Sequence, residues 1–513
     1  VQARNTIYQS RKGGGKEMKK FITLSILGLV ILAFSATVYA QPKFEFKASG
    51  SINMETFWYR NIPTINGGAG IVGIPGNYNT PDANAWNRSN AWLDTRGSIA
   101  FDFIMGKELS GRLAFELDST RWGDIAGDRG RVGYWTTDRS AVEVKHLYFD
   151  VAIPYFGIPV PMSMRFGAQP LAMRPFVFLS NDGTGITTTI KVDPATIMVY
   201  WFKAIEGSDW NADDVDVYGL HANAKIGPVT AGGYGFYYNM NCYPFSNTAP
   251  LAIADNADMW WLGVYADGKM GPVNLNFDFI YDTGKVKGKH NNSVLSNVKY
   301  SGWMTKVKID YPFEMFNFGV QGLYGSGADM NKTDAAGLPG GVTANGGVSD
   351  KVGSFVVPPG SEAGPASSND SSVMLSLHAG SAGGIGFADN LNWGQMNRGP
   401  VGGIWWAKLY GSAKPTPWYK VTLQGLYLGD TTKNGNTLGT ARDLAGTLRD
   451  DKTIGWELDL INEFNVYANL KFDVAAGLLI VQGDALDFWN ASTSSNDSFK
   501  KPWAFSTRLT YSF

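Results

Sequence analysis

Cysteine is almost missing from this chain: Cys242 is the one thiol in 513 residues, so neither a disulfide framework nor a cysteine-based metal site can form within it. Histidine is nearly as scarce. His146, His221, His290 and His378 are scattered with no H-E-x-x-H or other paired spacing, and no metal centre can be read from them. Charge is thin at 17% of residues, whereas 62 glycines and 13% aromatics exceed what a soluble enzyme usually carries. No Ser/His/Asp or Asp/His constellation stands out, so neither an enzyme nor a catalytic residue is expected, and no cofactor. Gly68, Gly70 and Gly73 match G-x-G-x-x-G, but Ile74, Pro75 and Gly76 follow where a helix should start. The match is therefore rejected as nucleotide binding.

What is present is alternation. Trp503, Phe505, Thr507, Leu509, Tyr511 and Phe513 fall on one face of an extended strand, and Ala504, Ser506, Arg508, Thr510 and Ser512 on the other. Residues 44–58 repeat the pattern, with Phe44, Phe46, Ile52, Met54 and Trp58 against Glu45, Lys47, Asn53 and Glu55. So do Gly97, Ile99, Phe101 and Phe103 against Asp94, Arg96 and Asp102, and Trp303, Val307, Ile309 and Tyr311 against Lys306, Lys308 and Asp310. So many charges cannot be buried in a dry core, so the charged face must be wet, while the other can meet lipid.

Connections alternate between short and long. Gly227-Pro228 and Gly271-Pro272 mark tight turns in two similar hairpins. Residues 61–90 and 326–402 are polar, glycine-rich loops, and a short ordered segment is expected at 373–379. Counting in this way predicts an all-β antiparallel transmembrane barrel of about 18 strands, with 16 as the alternative, long extracellular loops and short periplasmic turns.

Residues 18–40 read as a signal peptide: Met18, Lys19 and Lys20, an apolar run over 21–34, and Val38-Tyr39-Ala40 before the cut. The alternative is an uncleaved anchor, since residues 21–40 are about long enough to span a bilayer. Residues 1–17 are an upstream extension, and 41–513 form one barrel domain. Removing 1–40 takes six basic and one acidic residue from totals of 44 and 45, leaving about −6, which argues against a nucleic-acid partner.

An aromatic-ended final strand resembles the closing strand of Gram-negative outer-membrane β-barrels, and the resemblance implies that Tyr511 and Phe513 form a membrane-insertion signal read by the barrel-assembly machinery. Arg165, Gly167 and Gln169 in M-S-M-R-F-G-A-Q-P resemble the porin strand that leads into an inward-folded constriction loop. Residues 455–460 and 467–470 resemble the penultimate hairpin of diffusion porins and of the related 18-stranded alginate-export-like barrels. The resemblance implies passive diffusion of small hydrophilic solutes and ions across the cell outer membrane, amid outer-membrane lipid and lipopolysaccharide, with a homotrimer possible.

In such a pore, residues 170–185 are the candidate constriction loop, with Arg174, Asn181 and Asp182. Parity places Arg96, Arg112 and Arg165 toward it, with Asp94, Glu116 and Asp118 nearby and Gln169 at its base. Opposed rows of Arg and carboxylate would set up a transverse field, while the plainer reading pairs them along the wall. Trp58, Tyr59, Trp260, Trp261, Trp405, Trp406, Trp418, Tyr419 and Trp503 sit near strand ends, as an interfacial girdle would. Asp213, Asp214 and Asp216 read as solvated loop charge, and Cys242 as an incidental thiol in a loop. A substrate-specific channel or exporter, for a carbohydrate or organic acid, is the competing reading. A structural sheath in a multi-protein outer-membrane complex is a third.

Overall fold

The computed structural model describes residues 43–61, 89–123, 142–154, 160–207, 213–244, 255–288, 297–334, 337–361, 372, 395–490 and 493–513. The signal peptide, the glycine motif at 68–73, the expected segment at 373–379, His290 and His378 lie outside the described residues, as does the side chain of Asp118.

Among the described residues, eighteen long strands follow one another: β1 (Phe44–Arg60), β2 (Ser89–Met105), β3 (Leu109–Arg121), β4 (Glu143–Ile153), β5 (Met162–Met173), β6 (Leu179–Val192), β7 (Ala195–Ile205), β8 (Val215–Ile226) and β9 (Val229–Tyr243). They continue as β10 (Asp255–Met270), β11 (Val273–Lys287), β12 (Val298–Phe313), β13 (Phe316–Gly325), β14 (Ile404–Thr416), β15 (Tyr419–Asp430), β16 (Thr453–Tyr467), β17 (Leu470–Val481) and β18 (Trp503–Ser512). Each pairs antiparallel with the next, and β18 pairs back onto β1, with Ser51 opposite Ser512 and Arg60 opposite Trp503. The ring of strands therefore closes on itself, and apart from the inner part of β5 and β6 the strands find their hydrogen-bond partners inside the wall.

The period-two pattern determines which face meets what. In β1, Phe44, Phe46, Ile52, Met54 and Trp58 are exposed on the outside, whereas Glu55, Phe57 and Tyr59 are buried on the inside. Register carries this parity from strand to strand: Glu55 lies opposite Asp94 on β2 and opposite Arg508 on β18, all three facing inward. The outer aromatics gather in two belts. Near the short turns, Phe46 stacks on Phe101 at 5.8 Å, and Tyr511 lies 5.8 Å from Phe513. Near the long connections, Tyr237 stacks on Trp260 at 4.6 Å and Trp303 on Tyr324 at 4.8 Å. Two belts separated by an apolar band are what two membrane interfaces require.

The girdle expectation needs correcting at Tyr59, Trp261 and Trp406. These point inward and are buried, because neighbouring residues of a strand cannot share a face: Trp58, Trp260 and Trp405 take the outer positions. Cys242 is likewise in strand β9 rather than a loop.

At the short-turn end, Gly227 and Gly271 sit at φ values of 59° and 60°, left-handed values that suit glycine, each followed by proline in a two-residue turn. The other end is built up by long connections that lock together. The carbonyl of Lys433 accepts from Met330 N at 3.0 Å, and Asn434 donates to Asp329 at 2.7 Å, joining the β13–β14 and β15–β16 connections.

Candidate functional site

The β5–β6 hairpin leaves the wall. β4 pairs with β5 as far as Ala168, and β7 pairs with β6 as far as Thr184, so residues 169–183 have only each other as strand neighbours. The expected constriction loop is thus a β-hairpin, with residues 174–178 alone outside regular strand.

Its hinge is a glycine pair, Gly167 opposite Gly185. A Cβ on Gly167 would stand 2.2 Å from the Leu147 carbonyl oxygen of β4, and one on Gly185 2.2 Å from the Trp201 carbonyl oxygen of β7. The missing side chains let both arms press against the wall as they turn in. Gln169 braces this point: it donates to the Gly185 carbonyl at 2.9 Å and accepts from Thr187 Oγ1 at 2.8 Å. Being 1% exposed, Gln169 holds the hinge rather than facing the pore.

At the tip, Arg174 reaches β10 and β11. Its Nε donates to Asp278 at 2.8 Å and its Nη2 to Asp267 at 2.9 Å, with the guanidinium 4.2 Å from the Tyr265 ring centroid. Tyr234 OH donates to the Arg174 carbonyl at 2.9 Å. Burial works against the charge of Arg174, but the bonds to Asp267 and Asp278 outweigh it, so the guanidinium holds its proton more tightly than a free one. Leu171, Met173, Val177, Phe178 and Leu179 around it are buried, and Phe178 stacks on Tyr234 at 5.6 Å.

A second inward element, missed in the sequence, comes from the β13–β14 connection. Val356 is pinned from both sides of its peptide: its carbonyl accepts from Trp261 Nε1 at 2.8 Å, and its N–H donates to Asp282 at 3.1 Å. Ser361 Oγ donates to the Phe178 carbonyl at 2.7 Å, and Asn181 to the Gly360 carbonyl at 2.7 Å, so this strap lies on the hairpin. Farther along, Ser372 Oγ donates to Glu457 on β16 at 2.6 Å.

The remaining wall charges pair locally. Arg112 is bidentate to Asp102 at 2.7 and 2.9 Å, and Arg165 to Asp150 at 2.8 and 3.0 Å, with the Arg165 guanidinium 4.0 Å from the Tyr148 ring centroid. Arg96 donates to Glu116 at 2.9 Å, and the other oxygen of Glu116 takes Lys145. Lys145 and His146 in turn meet Asp182 at 3.3 and 2.9 Å, tying the base of the hairpin back to β4. Arg96, Arg112 and Arg165 therefore do not form a row facing a carboxylate row, because each finds its acid on an adjacent strand. Only Arg174 among the expected residues reaches carboxylates elsewhere on the barrel. Asp214 and Asp216 are also paired, both within 3.3 Å of Lys203 on the outer rim, rather than simply solvated.

Asp267 and Asp278 were missed, although parity was available: both lie at inward positions counted from the Gly271-Pro272 turn. The same count places Lys306, Lys308 and Lys408 inside, with Lys408 Nζ 5.5 Å from the Tyr410 ring centroid.

No protein-family model and no curated protein sequence matches the chain. Among solved structures it is similar to OccK8 (OprE) of Pseudomonas aeruginosa, at 10% identity over 91% of this chain and 98% of that one, with a TM-score of 0.47. OpdQ of the same organism is 9% identical over 91% and 98% at 0.47. OmpT, an outer membrane protein of Vibrio cholerae, is 9% identical over 92% and 99% at 0.37. The chain is a closed antiparallel barrel of eighteen strands. These likenesses concern barrel architecture alone.

Proposed function

We propose that the chain is a porin of the cell outer membrane, exported through residues 18–40, whose barrel passes small hydrophilic solutes and ions by passive diffusion. It acts without catalysis. The observation that carries this reading is the combination of an apolar outer band between two aromatic belts with a lumen lined by ion pairs and narrowed by the β5–β6 hairpin. Charged side chains kept wet on the inside serve a water-filled path, whereas a sealed structural barrel would have no use for them. Outer-membrane lipid surrounds it, and the assembly machinery reads Tyr511 and Phe513, whose rings face outward at the seam.

Purified protein added to planar bilayers should give stepwise conductance with ohmic current. A membrane that stays sealed across repeated additions removes the reading.

A second reading is favoured by the strap: with Phe355 and Val356 fully buried against β10, β11 and β12, and Gly360 and Ser361 bonded to the hairpin, the lumen is narrower than the strand count alone implies. A narrow, structured passage suits a substrate-specific channel. Saturable flux of one solute, against liposome swelling that depends on size only, separates the two.

A further inference from the structure

The outer rim carries a row of lysines on the long-connection side of β11 and β12. Lys285 of β11 lies directly opposite Lys299 of β12, and Lys299 pairs in turn with Lys351, which the β13–β14 connection lays alongside as a parallel bridge. All three are exposed, and their neighbours Val286, Val298 and Val352 fill the inner face. The backbone fixes this arrangement: Lys299 N donates to the Asp350 carbonyl at 3.0 Å, and Lys351 N to the Lys332 carbonyl at 3.2 Å, which brings exposed Lys332 beside the row.

Like charges directly opposite one another weaken a sheet. Elsewhere on this rim the chain neutralises such a charge: Lys203 has Glu206, Asp214 and Asp216 within 3.3 Å. Here a single carboxylate serves two lysines: Asp258 lies directly opposite Lys285 but is bonded to Lys287 at 2.6 Å, and among the described residues Lys299 and Lys351 form no ion pair. β11, β12 and the connection beside them thus present more cations to the surroundings than the carboxylate at Asp258 can balance.

Height identifies the surroundings. Tyr281 and Trp303, register partners in the outer aromatic belt, each lie four residues from Lys285 and Lys299 along their own strands, or about 13 Å at strand rise. Aromatics of the belt sit at the edge of the hydrocarbon, so lysines one step farther out stand at the level of lipid phosphates.

We propose that Lys285, Lys299 and Lys351 form a binding site for the phosphate groups of an anionic lipid in the surrounding leaflet. This rests on the outer-membrane reading above, which places the long connections at the outer face. The lipid supplies the counter-charge that Lys299 and Lys351 lack and that Lys285 shares with Lys287 at Asp258, and its acyl chains lie down the apolar band beneath Trp303. A free anion would gain nothing from that band, so the site selects a lipid over inorganic phosphate.

The test uses the full barrel in detergent, titrated with bisphosphorylated lipid A, with dephosphorylated lipid A and with inorganic phosphate, bound species being counted by native mass spectrometry. The wild type should retain bisphosphorylated lipid A, and Lys285→Gln/Lys299→Gln/Lys351→Gln should bind it more weakly, on the order of tenfold to a hundredfold. Lys107→Gln/Lys414→Gln, at the short-turn end, should bind as the wild type does. Removing the lipid's phosphates should weaken wild-type binding as much as the triple substitution does. Equal affinities for wild type and triple variant overturn the site, as does displacement of the lipid by equimolar inorganic phosphate. A wild type that conducts in bilayers yet fails these titrations loses the lipid site alone. One that never enters a bilayer loses the membrane reading and the site together.

Discussion

Arg174 and Asp278 are 104 residues apart in sequence and joined at 2.8 Å, the tip of one hairpin docked on the wall five strands farther round. Asp278 is 3% exposed and Asp267 shares the same guanidinium, so Arg174 both holds the hairpin in place and offsets one of the two lumen carboxylate charges.

Arg174→Ala should therefore do two things at once. It takes the guanidinium from Asp267 and Asp278, leaving them Asn276 and the charge of Lys306, which costs about 3 kcal/mol in a partly buried site, and it frees the hairpin tip. Single-channel conductance should rise, and the reversal potential in a salt gradient should move toward cations. Arg174→Lys should not restore the wild-type value, because an ammonium cannot fork onto two carboxylates. An unchanged reversal potential in both variants would take Arg174 out of the conducting path.

Arg165 makes a different prediction, since it pairs with Asp150 on the neighbouring strand and crosses nothing. Arg165→Ala alone should shift selectivity toward cations by exposing Asp150. In Arg165→Ala/Asp150→Ala the shift should largely vanish. If the double variant is as cation-selective as the single one, the two residues are not a unit and the wall-pair description is wrong.

The hinge can be probed without touching a charge. Gly167 sits at φ 121°, and a Cβ there would collide with the Leu147 carbonyl. Gly167→Ala should lower barrel stability by about 1–3 kcal/mol, read as a lower urea midpoint for loss of the folded electrophoretic form. Ala168, next door and facing outward, should tolerate Ala168→Ser with little effect. Equal stability of Gly167→Ala and wild type would mean that the hairpin does not need this close approach.

Much of this was legible because a membrane barrel writes its environment in a period of two. Phe44, Phe101 and Trp303 announce lipid, and Asp94, Arg112 and Lys306 announce water, one strand at a time and with no need of long-range information. The eighteen-strand count followed from the same alternation. What parity cannot give is which strand a hairpin tip will meet. Arg174 was singled out, but its partners Asp267 and Asp278 depend on the hairpin turning in at Gly167 and Gly185, a tertiary event. The strap at Val356 was hidden for a related reason: it is irregular chain in a polar stretch, held by the Asp282 carboxylate and the Trp261 indole rather than by a pattern. Adjacent aromatics such as Trp260 and Trp261 were misjudged as a pair, although alternation itself requires them to part.

The connection between β17 and β18 carries a pH-sensitive contact. Asp487 accepts from Phe499 N at 2.8 Å and from Ser498 Oγ at 3.3 Å, and burial pushes its carboxyl above the usual aspartate range despite these bonds. A raised folded-state pKa means that the folded form binds the proton more tightly, so this contribution to stability falls as pH rises from about 3.9 through the raised value. Hydrogen exchange at Phe499, corrected for intrinsic rates, should therefore quicken across that window, and Asp487→Asn should flatten the dependence while keeping an acceptor. Protection that strengthens with rising pH would reverse the sign and refute the assignment.

Asp282 offers the sharpest test of the strap. It is fully buried on β11, and its two carboxylate oxygens accept one N–H each, from Gly302 at 2.9 Å and from Val356 at 3.1 Å. An amide in its place presents one acceptor and one donor, so Asp282→Asn must set its NH2 group against one of those N–H groups. Leaving a buried donor unsatisfied costs about 1–3 kcal/mol, and Val356, in irregular chain, yields more easily than Gly302 within strand β12. Release of Val356 would also loosen Ser361 from the Phe178 carbonyl, uncovering the hairpin. Asp282→Asn should accordingly show larger or noisier conductance steps and faster proteolysis within residues 353–361, with the urea midpoint of the barrel nearly unchanged. Trp261→Phe, which removes the other bond to Val356 but leaves the carboxylate, should move the same readouts in the same direction and by less. Conductance and cleavage identical to wild type in both variants would show that the strap is held by its apolar packing alone, and that Asp282 contributes only to the wall.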